Sequence, residues 1–71
     1  MNTATIGIEG MHCEGCAQRI TRVLEREPGV READVSLDRG EARVRFDEHA
    51  TTLDRLREAV ERAGYTARVA A

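Results

Sequence analysis

Residues 10–16 read Gly-Met-His-Cys-Glu-Gly-Cys, and they stand where a strand pattern gives way to a helical one. They contain both cysteines of the 71-residue chain and one of its two histidines. Two residues separate Cys13 from Cys16, so the two sulfur atoms can converge on one soft metal ion or join in one disulfide. The spacing alone does not distinguish a metal site from a disulfide, so the flanking sequence is needed to decide between them.

The segment is preceded by a strand pattern and followed by a helical one. Ile6 and Ile8 alternate with a glycine and a glutamate, which predicts a strand with one buried face over residues 3–9. Over residues 14–26 apolar side chains recur every three or four positions, as expected for an amphipathic helix. These apolar residues are Ala17, Ile20, Val23 and Leu24. The Pro-Gly pair at residues 28–29 ends the helix.

Two further strands are predicted over residues 30–37 and 41–47, because apolar and polar residues alternate in both. The residues predicted to point inward are Ala33, Val35 and Leu37, then Ala42, Val44 and Phe46. Residues 38–40 form a tight hairpin turn between the strands, in which Gly40 can adopt a positive φ angle.

A second helix and a last strand complete the pattern. Thr51 or Thr52 can cap the helix, and Gly64 ends it. Its buried stripe consists of Leu53, Leu56, Val60 and Ala63. Residues 65–69 are predicted to form the short final strand.

The element order βαββαβ is typical of the ferredoxin-like α+β sandwich. We therefore expect one domain over residues 1–71, with a four-stranded antiparallel sheet and two helices on one face. We place the turn after the second strand at the opposite end of the sheet from residues 10–16. The loop that carries His49 is expected to be remote from them as well, with His49 in solvent.

Composition excludes several classes of protein. Acids and bases are interspersed at a net charge of −2, and Phe46 and Tyr65 are the only aromatic residues, which argues against nucleic-acid binding. No apolar run approaches the ~20 residues that span a bilayer, and the first residues lack the features of a secretory signal. We expect a cytoplasmic protein that does not insert into a membrane. In that reducing compartment a close cysteine pair is more often a metal or redox site than a structural disulfide.

The two cysteines suit a soft metal ion. Cys16 lies in or near the first turn of the first helix, where unpaired amides and the helix dipole favour the thiolate, and Cys13 directly precedes that helix. Two thiolates satisfy copper(I), whereas zinc usually takes four ligands. Candidates for additional zinc ligands are His12, His49, Glu14, Asp47 and groups on a second molecule. His12 points away from the ion if the loop is extended.

Other interpretations of the same residues stay open. In a thiol-disulfide catalyst a close cysteine pair also lies at the start of a helix. Such a catalyst needs a larger fold and a proline that faces the sulfurs. In this chain Pro28 is at the far end of the helix. Met11 is more simply a core residue than a thioether ligand. Tyr65 is either the last core aromatic or a neighbour of the sulfurs that shields the ion from water.

Residues 10–16 resemble the GMxCxxC signature of heavy-metal-associated domains, and the likeness extends over essentially the whole chain. It includes Pro-Gly-Val at residues 28–30, Val-Arg-Phe-Asp at 44–47 and Ala-Gly-Tyr at 63–65. By this resemblance the metal ligands are Cys13 and Cys16, the buried loop methionine is Met11, and the tyrosine beside the site is Tyr65. Bacterial copper chaperones commonly have tyrosine there and eukaryotic ones lysine. His12 departs from the usual threonine or serine.

The resemblance implies a non-enzymatic copper(I) chaperone that passes its ion by thiolate exchange to a metal-binding domain of a P-type ATPase. Arg19 and Arg22 flank the site and are expected to meet an acidic partner. The alternatives are a zinc, cadmium or mercury domain that uses Cys13 and Cys16, with His12 as a candidate additional ligand, or a redox protein. Silver is a further candidate ion. Two copies could also share one ion through four thiolates as a metal-bridged homodimer.

Overall fold

A computed structural model describes residues 2–69 of the chain and confirms the predicted order of elements. The elements are β1 (Asn2–Glu9), α1 (Glu14–Glu25), β2 (Val30–Ser36), β3 (Glu41–Phe46), α2 (Leu53–Arg62) and β4 (Thr66–Val69). The predicted bounds of α1 and of the four strands are each within one residue of those observed. The predicted α1, β2 and β3 each end one residue later than the observed elements. The predicted β1 begins one residue late, and the predicted β4 begins one residue early.

The four strands form one antiparallel sheet in the order β2-β3-β1-β4. The central strand β1 pairs Ile6 with Ala42 of β3, and it pairs Glu9 with Thr66 of β4. The start of β4 is therefore beside the end of β1. Tyr65, which directly precedes β4, is thereby brought next to residues 10–16.

The predicted position of the β2–β3 turn is wrong. Both β1 and β2 run antiparallel to β3, so they run parallel to each other and end at the same edge of the sheet. The backbone N–H of Ile8 donates to the carbonyl oxygen of Gly40 at 2.7 Å, which fixes the turn against the end of β1. The loop that carries His49 does lie at the other edge, because Phe46 at the end of β3 pairs with Asn2.

Both helices pack on the same face of the sheet, as predicted. Their apolar stripes and the inward residues of β1, β3 and β4 form a single core. The buried members are Ile6, Ile8, Ile20, Leu24, Ala42, Val44, Phe46, Leu56, Val60 and Ala67. Removing these side chains from water is the main favourable term for folding, and the alternation along the strands decides which face carries it. The opposite face carries the charged residues of β3.

Thr52, of the two candidates, is the N-cap of α2. Its Oγ1 accepts a hydrogen bond from the backbone N–H of Arg55 at 3.2 Å, which satisfies one of the free amides of the first turn. Thr51 is instead turned into the protein, with a side chain that is 3% exposed. Ala63, predicted to belong to the buried stripe, is the C-cap and is half-buried.

Gly29 lies between α1 and β2 and contacts the loop that precedes α2, at the edge of the sheet away from the cysteines. Its φ angle is +92°, and its carbonyl oxygen accepts a hydrogen bond from the backbone N–H of Asp47 at 2.8 Å. A Cβ atom on Gly29 would lie 2.8 Å from the Cβ of Ala50. Both the backbone conformation and the close approach of the two loops therefore require glycine here.

We expect Gly29→Ala to lower the free energy of unfolding by about 2–4 kcal/mol, since it combines a strained φ angle with overlap against Ala50. Gly64→Ala is the matched control: its φ angle is +99°, but nothing lies within 4 Å of the added Cβ. It should cost only the backbone strain, about 1–2 kcal/mol. Urea unfolding of both variants measures the difference, and equal losses would contradict the packing argument.

Candidate metal centre

The cysteines lie where β1 ends and α1 begins. Cys13 is the N-cap of α1, with an extended backbone at φ −152° and ψ 167°. Its carbonyl oxygen accepts hydrogen bonds from the N–H groups of Cys16 and Ala17, at 3.1 and 3.2 Å. The Cys13 side chain makes no capping hydrogen bond with the amides of the first turn. These amides therefore have no side-chain acceptor at the N-cap. Cys16, three residues on, lies on that first turn as the sequence predicts.

The two sulfur atoms face each other. The distance between Cys13 Sγ and Cys16 Sγ is 3.2 Å, and both cysteines are free. Cys13 is exposed, whereas Cys16 is half-buried. The pair therefore offers two soft donors on one side of the molecule, and Cys13 is the donor that solvent or another protein reaches more easily.

The surroundings of Cys16 favour its thiolate. The Tyr65 hydroxyl, the backbone N–H of His12 and the Cys13 side chain all make hydrogen bonds with its sulfur. These contacts, that of Tyr65 being the largest, lower the pKa of the Cys16 thiol from its ordinary value of 9.0 to about 7. The Cys16 thiolate is therefore accessible near neutral pH before any metal binds.

Tyr65 has its hydroxyl at the site and its ring against the core. The hydrogen bond with Cys16 raises the pKa of the Tyr65 phenol, so at neutral pH this hydroxyl stays protonated and donates. Gly10, whose φ angle is +91°, lies beside the ring: an added Cβ would make an ordinary van der Waals contact with Cδ1 of Tyr65, at 3.8 Å. The tyrosine is thus held between the end of β1 and the start of α1.

Met11 and His12 flank the pair in different ways. Met11 is half-buried and packs against the core, whereas His12 is exposed. Within residues 2–69, no group of three or more histidine, cysteine, aspartate or glutamate side chains converges on a point where it could hold a metal ion. Coordination by His12 therefore stays a prediction. His49, at the other edge of the sheet, is not brought to the cysteines.

The backbone contribution to the site was not predicted from the sequence. We expected thiolate stabilisation from the helix dipole in general, but the specific donor is the N–H of His12, two residues before α1 begins. The available signal was Gly10, whose positive φ angle turns the chain out of β1 and orients the amides that follow. The identity of the donating amide depends on that turn.

None of the helices in the described part of the chain is long and apolar enough to cross a membrane.

The sequence matches a family model described as the heavy-metal-associated domain, over residues 5–66. The chain belongs to this family. The match includes all six elements of the fold in whole or in part, and it contains both cysteines and Tyr65. The assignment that residues 10–16 suggested is thereby confirmed, as is the ferredoxin-like fold of the heavy-metal-associated domain.

Relatives of this heavy-metal-associated domain occur both as separate proteins and inside larger ones. The copper chaperone CopZ of Staphylococcus saprophyticus is 40% identical over 65 residues, which is 92% of this chain and 96% of CopZ. Copper-transporting ATPase 2 of Rhizobium meliloti is 41% identical over 68 residues, which is 96% of this chain but 8% of the ATPase. Among solved structures, a copper-binding domain from HMA7, a P-type ATPase, superposes with a TM-score of 0.98 at 31% identity. That superposition includes 100% of this chain and 96% of the HMA7 domain.

Replacing Tyr65 by Phe removes the hydroxyl while keeping the ring that packs on the core. We expect the pKa of Cys16 to rise above 7, so that a smaller fraction of the thiol is ionised at neutral pH. A rise of one unit would lower the ratio of thiolate to thiol about tenfold at a given pH. The rate of alkylation against pH measures this, with both proteins carrying Cys13→Ser to isolate Cys16. An unchanged profile would show that Tyr65 does not act on the thiolate.

Proposed function

We propose that this heavy-metal-associated domain is a copper(I) carrier that holds the ion between Cys13 and Cys16. The observation that carries the proposal is the sulfur pair itself: two free thiols 3.2 Å apart at a helix N-terminus, one of them with a pKa of about 7. A copper(I) ion is held by two soft thiolates and needs no further protein ligand. CopZ and the copper-transporting ATPases among the relatives support the choice of ion.

The donor set supports copper(I) over zinc(II). A stable zinc site usually has four ligands from cysteine, histidine and carboxylate side chains. In the described part of the chain, two cysteines meet and no third group of these types joins them. Zinc or cadmium would have to recruit His12, or a second molecule, at the cost of moving that loop. Silver(I) and mercury(II), which also accept two thiolates, remain alternative cargoes of the same pair.

The difference between the two sulfurs supports delivery by ligand exchange. A thiolate of the partner approaches from the exposed side, next to Cys13, and a three-coordinate arrangement forms. One sulfur of the carrier then leaves, followed by the other after a second partner thiolate has bound. We expect Cys13 to leave first, because it is the exposed sulfur that the partner thiolate approaches, whereas Cys16 is half-buried. Low coordination lets each step proceed without free copper ions.

The proposed partner is a metal-binding domain of a P-type ATPase, in the cytoplasm. Such domains are similar to this chain in length and sequence, so they can present a matching cysteine pair. The reaction transfers an ion and changes no covalent bond in a substrate, so the protein is a carrier and not an enzyme. Two copies of the chain could also hold one ion through four thiolates.

A redox function is the second candidate, and the acidity of Cys16 is the observation in its favour. A disulfide between Cys13 and Cys16 would close readily from 3.2 Å. Turnover with a disulfide substrate would establish that activity. Its absence, together with tight copper binding, would leave the carrier function.

The copper proposal predicts one copper(I) ion per chain, or per pair of chains, in competition with a calibrated chelator. Cys13→Ser and Cys16→Ser should each abolish tight binding, because one thiolate alone cannot hold the ion. His12→Thr should leave copper affinity nearly unchanged while collapsing any zinc affinity. Preferential zinc binding that depends on His12 would reassign the protein to zinc or cadmium.

We propose that Arg19 and Arg22 form part of the surface that meets the partner, so Arg19→Glu combined with Arg22→Glu should slow copper transfer to an ATPase domain without weakening copper binding. Both arginines follow Cys16 on α1 and are exposed, so the substitutions reverse charge beside the site without disturbing the core. Transfer rates and chelator competition are measured on the same samples. An unchanged transfer rate would remove these arginines from the docking surface.

A further inference from the structure

A cavity of about 410 Å³ lies at the hairpin formed by β2 and β3. We call it the hairpin cavity. Its volume is within the range of about 300–1,000 Å³ that small-molecule sites occupy. The residues that line it come from the end of β2, the turn and the start of β3, and they are Asp34, Val35, Ser36, Arg39, Glu41 and Arg43. It is therefore distinct from the cysteine site.

The sheet brings the charged side chains of the hairpin cavity together. Asp34 of β2 lies directly opposite Arg43 of β3. Glu41 lies two residues before Arg43, so the two side chains are on the same face of the sheet. The intervening Ala42 is in the core, so this is the face without helices. Arg39 joins the group from the turn.

Asp34 and Arg43 are both available to a ligand. Opposite charges at directly facing strand positions ordinarily attract each other. Within residues 2–69, however, neither of these two side chains takes part in an ion pair. Both residues are exposed. The hairpin cavity is therefore lined by one carboxylate and one guanidinium group that have no charged partner in the described part of the chain.

The other two charges of the hairpin cavity hold each other loosely. Arg39 Nη1 is 3.7 Å from Glu41 Oε1, and the Arg39 side chain is 69% exposed. An ion pair exposed to water contributes little stability, so either partner can turn toward a ligand at little cost. The Ser36 hydroxyl accepts a hydrogen bond from the backbone N–H of Arg39 at 3.3 Å. Its own hydrogen remains available to an acceptor.

We infer that the hairpin cavity binds a small zwitterion of the free amino acid class, whose carboxylate pairs with Arg43 and whose ammonium group pairs with Asp34. Two acidic and two basic residues line the cavity, so their formal charges cancel. An inorganic anion would meet both carboxylates, and a metal ion would meet both guanidinium groups. A ligand that carries both charges gains attraction at each end, and its carboxylate can bind the guanidinium group through two hydrogen bonds.

The lining indicates which part of the amino acid is recognised. Val35 is half-buried and offers little apolar surface, while the other lining residues are polar or charged. Recognition therefore rests on the ammonium and carboxylate groups, which all free amino acids share, rather than on the side chain. Glycine carries both groups and is a sufficient probe.

Glycine is tested against acetate and methylammonium, each of which carries one of its two charges. Each probe is titrated into the reduced, metal-free chain at constant ionic strength, and NMR follows the backbone amides of residues 34–43. Asp34→Asn and Arg43→Gln each remove one of the two unpaired charges. The matched controls Glu25→Gln and Arg26→Gln remove a carboxylate or a guanidinium group at exposed positions outside the hairpin cavity.

We expect glycine to shift the amides of residues 34–43 along a saturating curve, and each half-probe to bind at least about tenfold more weakly, because it makes one of the two ion pairs. Asp34→Asn and Arg43→Gln should each weaken glycine binding by about tenfold for the same reason. The two control variants should bind glycine as the wild type does. Added salt should weaken binding, since it screens these exposed charges.

Three results would overturn the inference. An equal response to glycine and acetate would show that the arginines bind any small anion. The absence of a saturable shift at residues 34–43 would show that the hairpin cavity does not hold a zwitterion. Equal weakening by the control variants would show a general effect of surface charge. The experiment involves no copper, so each of these results leaves the proposed carrier function to its own test.

Discussion

The site depends on the hydrogen bonding of one sulfur atom. Cys16 Sγ is held at the start of α1 by the Tyr65 hydroxyl and the His12 amide, which bring its pKa to about 7. This arrangement needs the end of β1, the start of α1 and the start of β4 at one place. The sheet order supplies that, because β4 lies next to β1 and begins where β1 ends. The hydrophobic core beneath these three segments keeps them in place.

The contrast in exposure between the two cysteines fits the proposed carrier function. A site that enclosed its ion with four ligands would bind tightly and release slowly, whereas one exposed thiolate would not retain it. Here Cys16 is anchored and half-buried, and Cys13 is exposed at a distance of 3.2 Å. A partner thiolate can therefore compete for one side of the ion while the other side is still held.

Most of the fold was predictable from periodicity. The alternation in the strands and the three-to-four spacing in the helices indicated all six elements, because each element has one buried face and its pattern repeats that face. The residues at which the helices begin and end were harder to predict from periodicity. The N-cap depends on which hydroxyl reaches a free backbone amide, and in α2 this is the hydroxyl of Thr52 rather than that of Thr51. The position of the β2–β3 turn was predicted wrongly, although the antiparallel pairing of β3 with both β1 and β2 determines it.

The sequence by itself determined the element order, the buried faces and the membership of the heavy-metal-associated domain family, because these follow from residue spacing and from the motif at residues 10–16. Only the tertiary structure decided which groups act on the sulfurs and which charges stand together. Tyr65 is 49 positions after Cys16, and Arg62 is 35 after its ion-pair partner Glu27, so local spacing reveals neither pair. The sequence placed Tyr65 near the sulfurs only through the predicted strand order and the family resemblance. The hydrogen bonds and electrostatic fields that tune the site act over a few ångströms, and only the folded chain sets those distances.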